Sequence, residues 1–249
     1  MQLLAALGGL SFVAASLLVG VRLILLARRT RQFPEFAIGM GLALMGGVGY
    51  PLTAIARVAP SLSDDLRVAL FVLSLGLIGI GTVLMASFNM RVFRPEEGWA
   101  RVLVGALGVW LVGSFVLQSL SPGLRVGAFR NQGLGLRLFM SGLAVPLAWG
   151  TYESLRYWAL LQKRVRLGLA DPVVADRMRL WGIAEGSAVV INVSTTIAAL
   201  FGVDFAVASV GALVIAPLGI LAAVSTWLAF IPPAAYLRRV ISRAAASEV

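Results

Sequence analysis

The chain has no cysteine and no histidine, and it has a single lysine, Lys163, among its 249 residues. Without cysteine it forms no disulfide bond and no thiolate metal site. Without histidine it lacks imidazole metal ligands, the usual haem ligands and the base of Ser-His or Cys-His nucleophilic catalysis. We therefore expect neither a metal nor a haem cofactor.

The small number of lysines and aspartates excludes further chemistries. A retinal protein needs a lysine in its last helix for the Schiff base, whereas Lys163 lies in a loop, so we expect no retinal. Aspartyl intramembrane proteolysis needs paired aspartates within the membrane, but all five lie in or beside loops: Asp64, Asp65, Asp171, Asp176 and Asp204. Rhomboid-like Ser-His and zinc HExxH sites fail for want of histidine. The sequence thus predicts that the protein is not an enzyme.

Charge is also scarce, and this sets the class of protein. Only 13% of residues are charged and 59% are hydrophobic, with a mean hydropathy of +0.93. Soluble globular proteins have roughly a quarter of their residues charged. We therefore expect an all-α integral membrane protein, with residues 1–249 forming one transmembrane domain.

Long apolar runs fill most of the chain. A spanning helix needs about 20 mostly apolar residues, and seven stretches meet this requirement. We place them near residues 3–27, 36–58, 67–90, 100–120, 138–161, 180–201 and 206–231. The chain should therefore form a seven-transmembrane helix bundle.

The basic residues predict the orientation of this bundle. The first segment begins uncharged at Met1-Gln2, is too long for a signal peptide, and is followed by arginines. Alternate loops are basic, which is the pattern of cytoplasmic loops. Fourteen basic residues fall on that side: Arg28, Arg29, Arg31, Arg91, Arg94, Arg101, Lys163, Arg164, Arg166, Arg177, Arg179, Arg238, Arg239 and Arg243. Only Arg67, Arg125, Arg130 and Arg137 fall on the other, so the pattern predicts an N-out/C-in topology.

Composition also bears on partners and origin. The formal net charge of +10 follows the loops, so we expect a lipid bilayer rather than nucleic acid as the partner of the basic residues. The preference for arginine over lysine, with abundant alanine, glycine and valine, is typical of a GC-rich bacterial genome. It predicts a multi-pass protein of a bacterial inner membrane.

Two carboxylates, Glu153 and Glu185, are the only ones inside apolar segments. Glu153 and Arg156 are three residues apart on one helix, so they share a face. Glu185, Val189, Asn192 and Thr196 follow one another at helical spacing and so form a stripe on one helix face. Arg22 lies at a similar depth in the membrane. A charge at membrane depth costs at least ~2.5–3.5 kcal/mol, so such groups should point inward and pair. We therefore predict a cluster of Arg22, Glu153, Arg156 and Glu185 in the cytoplasmic third of the bundle.

The predicted cluster has three interpretations. It either joins helices one, five and six structurally, or acts as a charge switch that responds to a ligand, or passes on a proton or solute. A glutamate held by two arginines would stay ionised, which favours the switch over the proton carrier.

Aromatic and proline residues add two weaker indications. Trp149 and Tyr152 lie near the depth of the cluster, either in an interfacial aromatic belt or lining a site for a cationic ligand. Pro51, Pro146 and Pro217 lie in three different segments, where each kinks a packed helix or acts as a hinge.

Helix count and orientation resemble those of opsins and G-protein-coupled receptors, and equally those of the seven-helix sugar-transporter fold. The resemblance covers nothing more, so no functional residue is carried over. Our first hypothesis is a receptor-like or sensor-like bundle that couples a ligand or membrane signal to a cytoplasmic protein partner through the basic loop 162–179. The alternatives are a small-solute or proton-coupled transporter and a structural or assembly subunit. The oligomeric state stays open.

Overall fold

The computed structural model describes residues 2–59, 61–120, 133–203 and 209–246, and these residues are helical apart from short connections. The helices are α1 (Gln2–Thr30), α2 (Phe33–Leu42), a π-helical segment (Ala43–Gly49), α3 (Tyr50–Val58), α4 (Asp64–Phe93), α5 (Gly98–Ser119), α6 (Leu134–Val165), α7 (Pro172–Leu200), α8 (Ser209–Phe230) and α9 (Ala234–Ala246). With α2, the π segment and α3 taken as one, seven segments are long and apolar enough to cross a membrane. The prediction of an all-α protein with seven such segments is confirmed.

The helices extend beyond the predicted apolar runs at several ends, because local capping continues them into polar sequence. The clearest case is α7: in the sequence, Asp171-Pro172 is an N-cap and first-turn pair, which predicts that the helix begins well before its apolar run at residue 180. Asp171 is its N-cap, and the Asp171 carboxylate accepts a hydrogen bond of 2.8 Å from the Val173 N–H. Pro172 occupies the first turn, where its missing N–H has no intrahelical partner to lose. The glycine-rich stretch from Ser121 to Arg137, whose sequence favours a loop or a small hairpin, falls largely on residues 121–132, which lie outside the described residues.

Six of the seven membrane segments form a closed ring. α1 packs against α2 and α8, α2 packs against α4, α4 against α6, α6 against α7, and α7 against α8. Among the described residues, α5 packs mainly against α4 and α6, from the outside of the ring. We call the end of the bundle at which α1, α4, α6 and α8 finish the basic end, and the other end the opposite end.

Small residues allow close crossings in this ring. A Cβ added to Gly8 of α1 would lie 2.8 Å from the Cα of Ala216 in α8, and one added to Gly20 would lie 2.9 Å from the Gly39 carbonyl oxygen in α2. Both neighbours are backbone atoms, which cannot move aside without shifting a helix. The two glycines therefore set how tightly α1 fits between α2 and α8.

The second membrane segment is irregular at its centre. Seven residues, Ala43–Gly49, form a π-helix, and Tyr50 and Pro51 begin α3 directly after it. Proline has no N–H to donate to the preceding turn, so a change of helical repeat is an economical way to accommodate it. The π segment presents Met45 and Gly46 toward the centre of the bundle.

Candidate functional site

A cavity of about 370 Å³ lies inside the ring. All of the ring segments contribute to its wall, whereas no α5 residue does. The wall is mainly apolar, with side chains such as Met45, Phe71, Phe139 and Leu143. Its volume lies within the range of small-molecule sites, roughly 300–1,000 Å³.

One face of α7 follows the cavity along its length. The face runs from Trp181 through Glu185, Asn192 and Thr196 to Ala199. At about 1.5 Å per residue, these 18 steps span roughly 27 Å, which is close to the thickness of a bilayer core. The predicted polar stripe therefore faces the cavity, except that Ala188 replaces Val189 in the wall.

Three side chains of this face, Trp181, Glu185 and Asn192, have polar atoms without a hydrogen-bond partner among the described residues. Glu185 is 3% exposed, and neither carboxylate oxygen has a hydrogen-bond partner among the residues that the structure describes. The same is true of the Asn192 Oδ1 and the Trp181 Nε1. A buried polar group without a partner costs about 1–3 kcal/mol, so this set of atoms is an unusual concentration of unused hydrogen-bonding capacity.

Gly150 of α6 leaves room for the Glu185 carboxylate. A Cβ at this position would overlap both carboxylate oxygens of Glu185. One helical turn earlier, Pro146 is buried, and its carbonyl oxygen accepts a hydrogen bond of 2.8 Å from the Asn89 side chain of α4. The part of the cavity toward the basic end therefore lies at the contact of α4, α6 and α7.

An apolar layer lies between the cavity and the basic end. Trp181 packs edge to face against Phe230 of α8, with ring centroids 5.2 Å apart. Phe88 and Phe93 make a similar contact at 6.0 Å on α4. We call this set the basal layer; it comprises Val19, Leu23, Ala37, Ile38, Leu42, Met85, Phe88 and Trp181, with Phe33, Phe93, Phe230 and Ile231 packed against them.

Toward the opposite end the wall changes character. Arg57, in the last turn of α3, and Arg137, in the first turn of α6, both contribute to it. The Arg137 Nε is buried without a hydrogen-bond partner among the described residues. The cavity thus has guanidinium groups at one end and an unpaired carboxylate near the other.

The second buried glutamate has a partner that the sequence did not indicate. The Arg94 Nε, just beyond the end of α4, donates a hydrogen bond of 2.7 Å to the Glu153 Oε1. This bond is the main cause of a raised pKa for Arg94. In the sequence, Arg94 is one of the basic residues that flank a loop, and nothing in its spacing indicates Glu153 as its partner. The ion pair connects the basic ends of α4 and α6.

The structure does not bring the predicted cluster of Arg22, Glu153, Arg156 and Glu185 together. Glu153 and Glu185 are both buried, as predicted, but Arg22 and Arg156 have exposed side chains. Arginine has a long apolar stem and reaches the membrane surface from several residues below it, so it does not require a buried carboxylate. The four residues therefore do not form one group: Glu153 binds Arg94, and Glu185 lies at the cavity without a hydrogen-bond partner among the described residues.

The aromatic and proline residues of the prediction lie mostly elsewhere. Trp149 packs on Trp99 of α5 with ring centroids 5.4 Å apart, and Tyr152 is 61% exposed. Neither lines the cavity, because α6 turns this face toward α5 and away from the ring interior. Pro146 is buried inside α6, and Pro217 is exposed inside α8.

Beyond the basal layer, α7 contacts the final helix. The Tyr236 hydroxyl of α9 donates a hydrogen bond of 2.5 Å to the Asp176 carboxylate of α7, and Arg179 donates to the same carboxylate at 2.5 Å. Burial and the hydrogen bond to Asp176 raise the pKa of Tyr236. α7 therefore connects the cavity wall to a helix beyond the basal layer.

Comparison of the chain with family models, with curated proteins and with solved structures finds no match. Its function is therefore inferred from the cavity and the helices around it.

Proposed function

We propose that the protein is a receptor-like or sensor-like bundle, in which a small molecule occupies the central cavity. α7 then transmits the conformational change that this binding causes to the basic end. The observation that supports this most strongly is the course of α7. Its cavity face runs from Trp181 to Ala199, and the same helix reaches Asp176, which binds α9. Asp176 precedes Glu185 by nine residues, or about 14 Å of helix.

The basal layer supports a receptor more than an open passage. Aromatic and aliphatic side chains pack below Glu185, and the Arg94–Glu153 pair connects α4 and α6 at the same end. A ligand that enters from the opposite end would find the path onward closed. In the predicted N-out/C-in orientation, the site would be accessible from outside and the basic end, with loop 162–179, would face a cytoplasmic partner of the bacterial inner membrane.

A direct test fills the cavity without any ligand. Ala188→Phe places a ring in the cavity wall, and Val190→Phe, two residues on, places the same ring on an exposed face of α7. A nitroxide at Val240→Cys reports on the crevice between α7 and α9, which Val240 shares with Asp176 and Tyr236. Because the chain has no cysteine, this label is unique.

We expect Ala188→Phe to change the mobility of the nitroxide and Val190→Phe to leave it as in the parent. Equal spectra for all three proteins would contradict the relay from the cavity to α9. Equal changes in both variants would show a general disturbance of α7 and would contradict it as well.

A transporter is the second candidate, and one observation favours it. Glu185 is a buried acid without a partner among the described residues, and such a group can take up and release a proton or a cation during transport. The π segment beside the cavity would then be a place where the ring changes shape. Transport requires the basal layer to open, whereas a receptor can act with this layer closed.

A further inference from the structure

Among the described residues, this face of the cavity presents three unpaired acceptor oxygens and one unpaired donor, the Trp181 indole N–H. Glu185 presents two carboxylate oxygens, and Asn192, two turns further along α7, presents Oδ1. Both side chains are at least nine-tenths buried, at 3% and 7% exposure. A ligand that satisfies them must donate hydrogen bonds, so a purely apolar or an anionic ligand would leave these atoms unpaired.

No basic side chain of the described residues supplies that donor. Arg94 is bound to Glu153, and Arg22 and Arg156 have exposed side chains. Arg137 is 13 residues from Gly150, the residue that contacts Glu185, which corresponds to roughly 20 Å along α6. Guanidinium groups at that distance, near the end of the bundle, interact weakly with a charge at Glu185.

The surroundings of Glu185 suit a positive charge carried by an apolar molecule. Trp181 lies one turn away on the same face of α7, and an indole ring attracts cations. The rest of the wall is mainly aliphatic and aromatic, so a strongly hydrated metal ion would lose most of its oxygen ligands there, whereas an organic cation would keep its apolar contacts.

We propose that the cavity binds a hydrophobic amine, whose protonated nitrogen donates hydrogen bonds to Glu185 and Asn192 and whose apolar body packs against Met45, Phe71 and Phe139. The proposal rests on the proposed function in one respect, since it takes the cavity to be a ligand site. It adds the chemical class of the ligand and the two residues that select it.

The test compares three probes of nearly equal shape and different charge: phenylbutylamine, phenylbutanol and phenylbutyrate. A thiol at Thr195→Cys, in the cavity wall, reacts with a water-soluble thiol reagent, and a bound probe slows that reaction. Val193→Cys, on an exposed face of α7, measures any effect of probe dissolved in the membrane. A charge-assisted hydrogen bond contributes about 1.5–3 kcal/mol, so the amine should protect at roughly tenfold or more lower concentration than the alcohol.

In Glu185→Gln, the amine should protect the thiol only at the concentration at which the alcohol does. Glu153→Gln is the same change outside the cavity wall, and it should leave the preference for the amine over the alcohol intact. Asn192→Leu provides a second variant of the site, and it should weaken the preference. Equal protection by amine and alcohol, or stronger protection by phenylbutyrate, would overturn the proposed ligand class while the cavity remained a ligand site. Protection by none of the three would overturn the ligand class, and an unchanged Val240 nitroxide in Ala188→Phe would separately contradict the receptor.

Discussion

The same substitution at the two buried glutamates should have opposite consequences for stability. Glu153→Gln removes a charge that Arg94 binds at 2.7 Å. Glu185→Gln removes a carboxyl group that has no partner among the described residues. Glutamine has nearly the same shape as glutamate, so the two substitutions differ mainly in whether the carboxylate that they remove has an ion-pair partner.

The size of each effect follows from the surroundings. Breaking a fully buried ion pair costs about 3–5 kcal/mol, but Arg94 is 24% exposed, and we therefore expect about 1–2 kcal/mol for Glu153→Gln. For Glu185→Gln we expect no loss of stability. The amide adds a donor to a site whose acceptors are unused, and any cost of holding a charge there, ~2.5–3.5 kcal/mol at the centre of a spanning helix on insertion scales, is removed.

Thermal unfolding in detergent, followed by near-ultraviolet circular dichroism, measures both effects. In a chain of this length 1 kcal/mol shifts the Tm by roughly 2–4 °C, so Glu153→Gln should lower it by about 2–8 °C. The Tm of Glu185→Gln should be unchanged or higher. A fall in Tm for Glu185→Gln that equals the fall for Glu153→Gln would show that Glu185 has a stabilising partner and would refute the reasoning.

Two further predictions concern the packing of α1 and of α9. Gly8→Ala should lower the free energy of unfolding by about 1–3 kcal/mol, because the added Cβ would meet the backbone of Ala216. The control Gly9→Ala has open space around it and should change the stability little. Equal falls in Tm for the two variants would contradict the close crossing. Because the pKa of Tyr236 is raised in the folded protein, its contact with Asp176 stabilises the fold fully below about pH 10, and this stabilisation is lost as the pH rises through the folded-state pKa. A nitroxide on α9 should therefore become mobile only in strong alkali. Tyr236→Phe should be mobile at every pH, and a parent that loosens near neutral pH would contradict the assignment.

The sequence predicted the parts of the fold that depend on single segments. Seven apolar runs of spanning length correspond to seven helical segments among the described residues that are long and apolar enough to cross a bilayer, since length and hydropathy decide this property. Asp171-Pro172 predicted the early start of α7, because capping is a local interaction. The inward position of Glu153 and Glu185 also followed, since a charged side chain facing lipid is costly.

The partners of those glutamates depend on how the helices are rotated and ordered, which no single segment encodes. Arg94 and Glu153 are 59 residues apart, and only the packing of α4 against α6 brings them together. Arg156 is close to Glu153 in sequence, yet it has an exposed side chain. The cavity could not be predicted either, because it is a space left between six segments rather than a property of any of them.

In the proposed receptor, the cavity is reached from the opposite end and is closed at the basic end. The most direct test labels Thr195→Cys with a membrane-impermeant thiol reagent added to either face of sealed vesicles, with Val193→Cys as the control on the same helix. We predict labelling of Thr195→Cys only from the face of the opposite end, where Arg57 and Arg137 lie, and none from the basic end. Labelling from the basic end, or from both faces, would show that the basal layer opens and would contradict the receptor in favour of a transporter.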